Sequence, residues 1–243
     1  VDDRLREHMG TMACRLAREA GYRNAGTVEF ILDNSDRSVY FLEMNTRLQV
    51  EHPVTEMVTR LDLVELQLRI AVGEKLPIRQ EDVIGTGWAV EARICAEDPA
   101  RNFLPVTGMI TRYATARIKN VRIDSSVVAG SVVSTYYDSL LSKVIAWGET
   151  RKEAIESIVQ ALNAYHIEGL VTNVDFVNAV LNHPSFMEGD LSTDFINEHF
   201  ERGQMKLPPP EEWLHFMAMA VTLIYHNRQS LVHESLKPMM AKV

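Results

Sequence analysis

Two short runs rich in branched and aromatic residues, Thr27–Asp33 and Val39–Asn45, flank the polar stretch Asn34-Ser-Asp-Arg-Ser38. Such a pair commits this part of the chain to a β-hairpin closed by a polar loop. Folding the hairpin about Asp36 sets Glu29 opposite Glu43. The even positions beside them, Val28, Phe30, Leu32, Tyr40, Leu42 and Met44, are all apolar, so that face is expected to pack into a core. The other face then carries two carboxylates directly across a strand pair, which repel each other unless something neutralises them. A divalent cation would do so, since Mg²⁺ takes hard oxygen ligands and often one or two carboxylates. Asn45, two residues beyond Glu43 and so on the same face, offers a third oxygen. The plainer alternative is a solvated hairpin face with incidental acids.

The same parity runs on through Glu43, Asn45, Arg47, Gln49 and Glu51. If the chain stays extended through Gln49, one edge presents metal ligands, then a cation, an amide and a further acid. Arg47 could bind an oxyanion with its planar fork of donors. Glu51 could accept a proton if partial burial raises its pKa. Alternatively, Arg47 and Glu51 form one surface salt bridge. His52 beside Pro53 is better read as structural than as a base. No His/Cys cluster has zinc spacing, no G-x-S-x-G run is present, and Gly85-Thr-Gly87 is too short for a phosphate loop. Arg93 stands inside a strand-like run and shares a face with Glu91, so a half-buried salt bridge is one reading of it.

Elsewhere the pattern alternates between helix and strand. Leu5, Met9, Met12, Leu16 and Ala20 recur at helical spacing from Asp2 to about Ala20, before Gly21. Thr46–Pro53 reads as irregular, Pro53 opens a short helix through Arg60, and a second helix spans Leu63–Val72. From Gly87 the texture is β, with strands expected at Ala89–Ala96, Met109–Tyr113, Val121–Ile123 and Leu141–Trp147. Helices follow at Arg151–Tyr165 and Val174–Leu181. Pro208-Pro-Pro210 breaks the chain before a very apolar helix, Glu211–His226, too short to span a bilayer and better suited to a core or subunit contact.

Composition narrows the function classes. Lysine and arginine total 25 against 33 acidic residues, a net charge of −8, which argues against a nucleic-acid or membrane-surface partner. The two cysteines, Cys14 and Cys95, leave no room for a disulfide framework and suit a reducing compartment. With no signal peptide before Val1, a cytoplasmic or mitochondrial-matrix protein is expected, and the missing initiator Met suggests a start inside a longer polypeptide.

Thr27-Val-Glu-Phe30 and the run Phe41-Leu-Glu-Met-Asn-Thr-Arg-Leu-Gln-Val-Glu-His-Pro-Val-Thr-Glu56 closely resemble biotin carboxylase, an ATP-grasp enzyme. Val90-Glu-Ala-Arg-Ile-Cys-Ala-Glu-Asp-Pro99, Tyr136-Tyr-Asp-Ser-Leu-Leu-Ser-Lys143 and Gly169-Leu-Val-Thr-Asn173 fit the same family, so the likeness covers about residues 1 to 200. The resemblance implies that Glu29, Glu43 and Asn45 match positions binding Mg²⁺ or Mn²⁺ with ATP, and that Ile31 matches an apolar contact to adenine. It implies bicarbonate contacts at Arg47, Gln49 and Val50. Glu51 matches the base that deprotonates bicarbonate for attack on the ATP γ-phosphate. The resulting carboxyphosphate breaks down to CO₂ and phosphate, and phosphate takes the N1′ proton of biotin. Arg93 matches the arginine that stabilises the biotin enolate.

The family's N-terminal subdomain, Gly-rich lid and nucleotide-binding lysines have no match here, so the chain is expected not to turn over ATP alone. The expected fold class is α+β. Residues 1–74 would form the C-terminal part of an ATP-grasp domain, and residues 75–203 a biotin carboxylase C-terminal domain. Residues 204–243 would form a linker and the start of a subunit-connecting domain. That tail resembles the α subunits of propionyl- or methylcrotonyl-type acyl-CoA carboxylases, and Lys237 reads as a surface lysine, not a biotin attachment site. The implied partners are a biotin carboxyl carrier domain, which bears the covalent biotin outside this chain, a carboxyltransferase β subunit, and a second copy in a homodimer. The alternatives are the corresponding part of a pyruvate carboxylase and a non-catalytic assembly module.

Overall fold

The structure is a computed structural model that describes residues 2–33, 35–205 and 211–240, the side chains of the last group from 213 to 227. It divides into two compact units, Val1–Leu191 and Ser192–Val243.

The first unit opens with helix α1, Asp3–Glu19, over the span its apolar spacing predicts. Asp2 caps it, accepting the Leu5 N–H at 2.9 Å, which satisfies one of the amides a helix start leaves free. Strands β1 (Thr27–Leu32) and β2 (Val39–Asn45) form an antiparallel two-stranded ribbon. Glu29 faces Glu43 as expected, but Phe30 faces Phe41, Ile31 faces Tyr40 and Leu32 faces Val39, so the register slips by one residue. The turn explains the slip. Arg37 N–H closes onto Asp33 C=O and Asp33 N–H onto Ser38 C=O, both at 2.9 Å, and the hairpin axis falls short of Asp36. Leu42 is left without a partner, as a bulge. The expected burial of the even positions is only partial: Val28, Phe30, Leu32 and Met44 are half-buried. Tyr40 and Leu42 are 56% and 52% exposed, because among the described residues the ribbon has no third strand.

Helices α2 (His52–Thr59) and α3 (Leu63–Ala71) follow, with Asp62 capping α3 through the Glu65 N–H. Strand β3, Trp88–Cys95, begins the second part of the unit. Short strands β4 (Glu97–Asp98) and β5 (Leu104–Pro105) pair with each other. The single strand expected over Met109–Tyr113 is in fact two, β6 (Gly108–Met109) and β7 (Arg112–Ala114). Between them Ile110 is fully buried and bonds both Ser131 and Gly130, so the segment changes partners there. Strands β8 (Val121–Ser125), β9 (Val132–Val133) and β10 (Leu140–Gly148) complete the run. Strand β9 takes β6, while β10 lies between β3 and β8 in a three-stranded antiparallel sheet.

Helix α4, Arg151–Asn163, covers that sheet and ends two residues earlier than its pattern suggests. Ala154, Ile155, Ile158, Ala161 and Leu162 face Ala92 and Ile94 of β3 and Val144 and Ala146 of β10, forming the dry core. Gly148 permits the tight entry into α4, since a Cβ there would lie 2.5 Å from the Ala154 nitrogen. Strand β11 (His166–Glu168) pairs with β7, and helices α5 (Val174–Leu181) and α6 (Pro184–Glu188) close the unit.

In the second unit, helix α7 (Phe195–His199) leads into the two-residue strands β12 (Phe200–Glu201) and β13 (Gln204–Met205). Helix α8 runs from Glu211 to Met240, well past the expected end at His226. Its apolar side chains from Trp213 to Tyr225 are exposed. Pro208-Pro-Pro210 and the Lys237 side chain lie outside the described residues. Among the described residues no helix is long and apolar enough to cross a membrane. The fold is α+β, as its alternating patterns predict.

Candidate active site

Two clusters of the expected site residues lie on either side of the loop from β2 to α2. The first is on the ribbon. Asn45 Nδ2 donates to Glu29 Oε1 at 2.8 Å and to Glu43 Oε1 at 3.3 Å, and Gln49 Nε2 donates to Glu29 Oε1 at 2.9 Å. The amides thus do part of what a cation would do, screening two acids that face each other across the strands. Two carboxylates and an amide on one face make an oxygen-rich donor set suited to Mg²⁺ or Mn²⁺. Ile31 stands two residues past Glu29 on β1, on the same side of the strand, and is exposed.

The second cluster is built around β3. Arg93 Nη2 meets Glu51 Oε2 at 2.6 Å, and both side chains are 49% exposed. Glu51 therefore pairs with an arginine from the sheet and not with Arg47, whose Nη1 donates to the Leu48 carbonyl at 3.0 Å. Nor does Arg93 pair with Glu91, its neighbour on the strand face. The strand does not run on through Gln49: β2 ends at Asn45, the chain bends at Thr46 and Arg47, and Glu51 sits at the N-terminal boundary of α2. His52 Nδ1 lies 2.8 Å from the Gln49 carbonyl and donates to it, which leaves His52 in a structural role within the loop. The Val50 carbonyl accepts the Lys143 ammonium at 3.0 Å, so a cation from β10 fixes the peptide ahead of Glu51.

Three supporting groups lie within runs that the sequence singles out, but carry no assigned role there. Asn173 is buried, and its side chain bridges β3, donating to the Arg93 carbonyl at 3.0 Å and accepting the Cys95 N–H at 2.8 Å. It sets the strand that carries Arg93; its only sequence signal is the run Gly169–Asn173. Glu56 of α2 is buried and accepts both the Leu63 N–H at 2.8 Å and Arg122 Nη1 at 2.6 Å. Arg122 also grips Asp124 with two bonds of 2.7 Å, and these pairings raise its guanidinium pKa further. The third group is Glu91. Both its carboxylate oxygens are buried without a hydrogen-bond partner among the described residues. Burial pushes its pKa up to about 7, against the pull of Lys143 and Arg93.

Residues 91–198 match the model of the biotin carboxylase C-terminal domain, and residues 1–79 that of the carbamoyl-phosphate synthase L chain ATP-binding domain. The propionyl-CoA carboxylase alpha chain of Ruegeria pomeroyi is 43% identical over 93% of this chain and 36% of its own length. Biotin carboxylase 1 of Bacillus subtilis is 46% identical over 82% of this chain and 44% of its own. The chain thus spans less than half the length of these relatives. Among solved structures, the biotin carboxylase domain dimer of Hydrogenobacter thermophilus 2-oxoglutarate carboxylase, in complex with MgADP, ADP and bicarbonate, superposes with a TM-score of 0.81. It is 38% identical, over 85% of this chain and 46% of that one. On fold, family models and relatives together, the chain belongs to the biotin carboxylase family, of which it carries part of the ATP-binding domain and the C-terminal domain.

Proposed function

We propose that this chain supplies the base, the enolate-stabilising arginine and the cation ligands of an ATP- and bicarbonate-dependent biotin carboxylation, within the α subunit of an acyl-CoA carboxylase. One observation carries the reading: Glu51 and Arg93, 42 positions apart, meet at 2.6 Å while staying half exposed. A base and an oxyanion-stabilising cation held together and open to solvent are what proton abstraction from a small anion requires.

In this reading Arg47, Gln49 and Val50 hold bicarbonate beside Glu51. Glu51 takes its proton, and the carbonate so formed attacks the γ-phosphate of ATP. The carboxyphosphate product releases CO₂ and phosphate, phosphate accepts the N1′ proton of biotin, and Arg93 stabilises the enolate oxygen. Lys143, by holding the Val50 carbonyl, keeps the anion-binding turn in place. Glu29, Glu43 and Asn45 would hold Mg²⁺ or Mn²⁺. When bound, the ion supplies charge neutralisation at the nucleotide phosphates. Ile31 takes the adenine edge. The MgADP and bicarbonate in the Hydrogenobacter thermophilus structure support this division of roles.

The domains divide at 74/75 and 203/204, and the tail begins a subunit-connecting domain. The exposed apolar side chains of α8, Trp213, Phe216, Val221 and Ile224 among them, support that role. The partners are a carrier domain bearing covalent biotin, a carboxyltransferase β subunit and a second copy of the chain, the last supported by the dimer of the solved relative. Mitochondrial relatives make the matrix one compartment for it and the cytoplasm the other.

Titration calorimetry with Mn²⁺ tests the cation ligands directly. The chain should bind Mn²⁺, and Glu29→Gln and Glu43→Gln should each weaken binding about tenfold or more. Unchanged binding in both variants would remove the cluster from the proposal.

A further inference from the structure

We propose that Glu91 is a positioning residue for Arg93, a second carboxylate that keeps one negative charge beside the guanidinium when Glu51 takes up a proton. The inference deepens the reading above and rests on Glu51 as the base.

The geometry that carries it is local. Glu91 and Arg93 are two apart on β3, so their side chains leave the same face of the sheet. Arg93 is committed to Glu51 at 2.6 Å. The charged groups acting on Glu91 come from its surrounding elements: Arg93 on its own strand, Lys143 on β10, Asp124 on β8 and Glu51 from the boundary of α2. Lys143 is already engaged by the Val50 carbonyl and stands 3.8 Å from Asp124. Glu91 is thus the one member of this group whose side-chain oxygens have no partner among the described residues. A buried carboxylate in that position costs free energy unless it is neutral or gains a donor. Removing the acid by evolution would be the simplest relief, so its presence beside the proposed base and arginine needs a reason.

The reason follows from the charges. With Glu51 ionised and bound to Arg93, burial holds the proton on Glu91 against the pull of Lys143 and Arg93, and the negative charges of Glu51 and Asp124 add to that hold. When Glu51 accepts the proton that bicarbonate loses, its own repulsion of Glu91 ends and Arg93 loses its ionised partner. Glu91 then releases its own proton to solvent, and Arg93 gains a new counter-charge on the same strand. Glu51 has gained one proton and Glu91 has lost one, so the total charge of the cluster is unchanged. Arg93 stays held at the sheet during the interval in which Glu51 is neutral, instead of swinging away from where the enolate forms.

The test is a carboxyl-carbon NMR titration of the 243-residue chain carrying ¹³Cδ-labelled glutamate, with Glu91 assigned by its loss in Glu91→Gln. Glu51→Gln should lower the Glu91 midpoint, and Arg93→Gln should raise it, each by roughly one pH unit. Arg93→Lys, which keeps the charge, should restore the midpoint to near the parent value. This separates an electrostatic link from a change of shape. A Glu91 midpoint that ignores Glu51→Gln while the backbone spectrum stays folded would overturn the proposal. So would a midpoint in the ordinary glutamate range. The functional reading fails on a different result, Mn²⁺ binding that Glu29→Gln and Glu43→Gln leave unchanged, which does not touch the Glu91 response.

Discussion

The ribbon of β1 and β2 and the sheet β3-β10-β8 are both antiparallel, and both present charged side chains to the proposed chemistry. They differ in what lies behind those side chains. Behind Arg93 and Glu91 stand Ala92 and Ile94, buried against Ile155, Ile158 and Leu162 of α4. Behind Glu29 and Glu43 stand Phe41 and Leu42, each at least half exposed. The sheet therefore holds its charged groups by packing from below. The ribbon holds its own by hydrogen bonds from the same side, through Asn45 and Gln49. A group that must resist movement while a proton shifts sits on the first kind of support. A pair of acids that must accommodate a cation can sit on the second.

Truncating the two supports should separate them most widely. Ile158→Ala, in the dry core, should cost about 3–4 kcal/mol of unfolding free energy, while Leu42→Ala should stay within about 0.5 kcal/mol of the parent. Urea denaturation followed by circular dichroism measures both. Equal costs would show that the ribbon is packed as firmly as the sheet.

The next effect is a pH dependence that belongs to the sheet. Glu91 titrates near 7 in the folded chain, above the ordinary 4.5, so the folded state holds this proton more tightly than the unfolded one. The stability this group contributes is full below about pH 4.5 and is lost as pH rises through 7. Discounted for solvent screening, the loss is about 2 kcal/mol. Glu91→Gln should match the parent near pH 5 and exceed it by about that amount at pH 8. Thermal melts at the two pH values decide it; parallel shifts at both would sink the assignment.

The smallest effect leaves stability alone and reads thiol chemistry. Cys14 is exposed on α1, whereas burial pushes the Cys95 thiol on β3 up to about 11, assisted by Glu97. At pH 8 an alkylating reagent should modify Cys14 roughly 100-fold faster than Cys95. Peptide mass mapping after brief labelling would show it, and comparable rates would mean that β3 opens.

How much of this was legible in the residues depends on distance along the chain. The pairing of Glu29 with Glu43 could be read because both strands alternate and the loop between them is short. The slip beyond it could not, because Phe41 and Leu42 are equally apolar and either can face Phe30. Arg47 looks like the natural partner of Glu51 in sequence, yet the ion pair forms with Arg93, whose approach depends on how β3 passes α2. Ile110 interrupts what reads as one strand because its partners, Gly130 and Ser131, lie in a loop with no strand pattern. Glu91 reads as one more polar residue of an alternating strand; the residue that faces it across the sheet, Ile145, lies on β10, far along the chain.

The bulge at Leu42 has a consequence for how this hairpin can vary. On the Asn45 side of it the strands pair in one register, and on the loop side in a register one residue shorter. The two acids lie on the far side from the turn. A single-residue insertion or deletion near Ser35 can then be taken up at the bulge, as a joint in a rail takes up expansion, without carrying Glu29 past Glu43. The turn is free to drift in length over generations while the carboxylates keep their places.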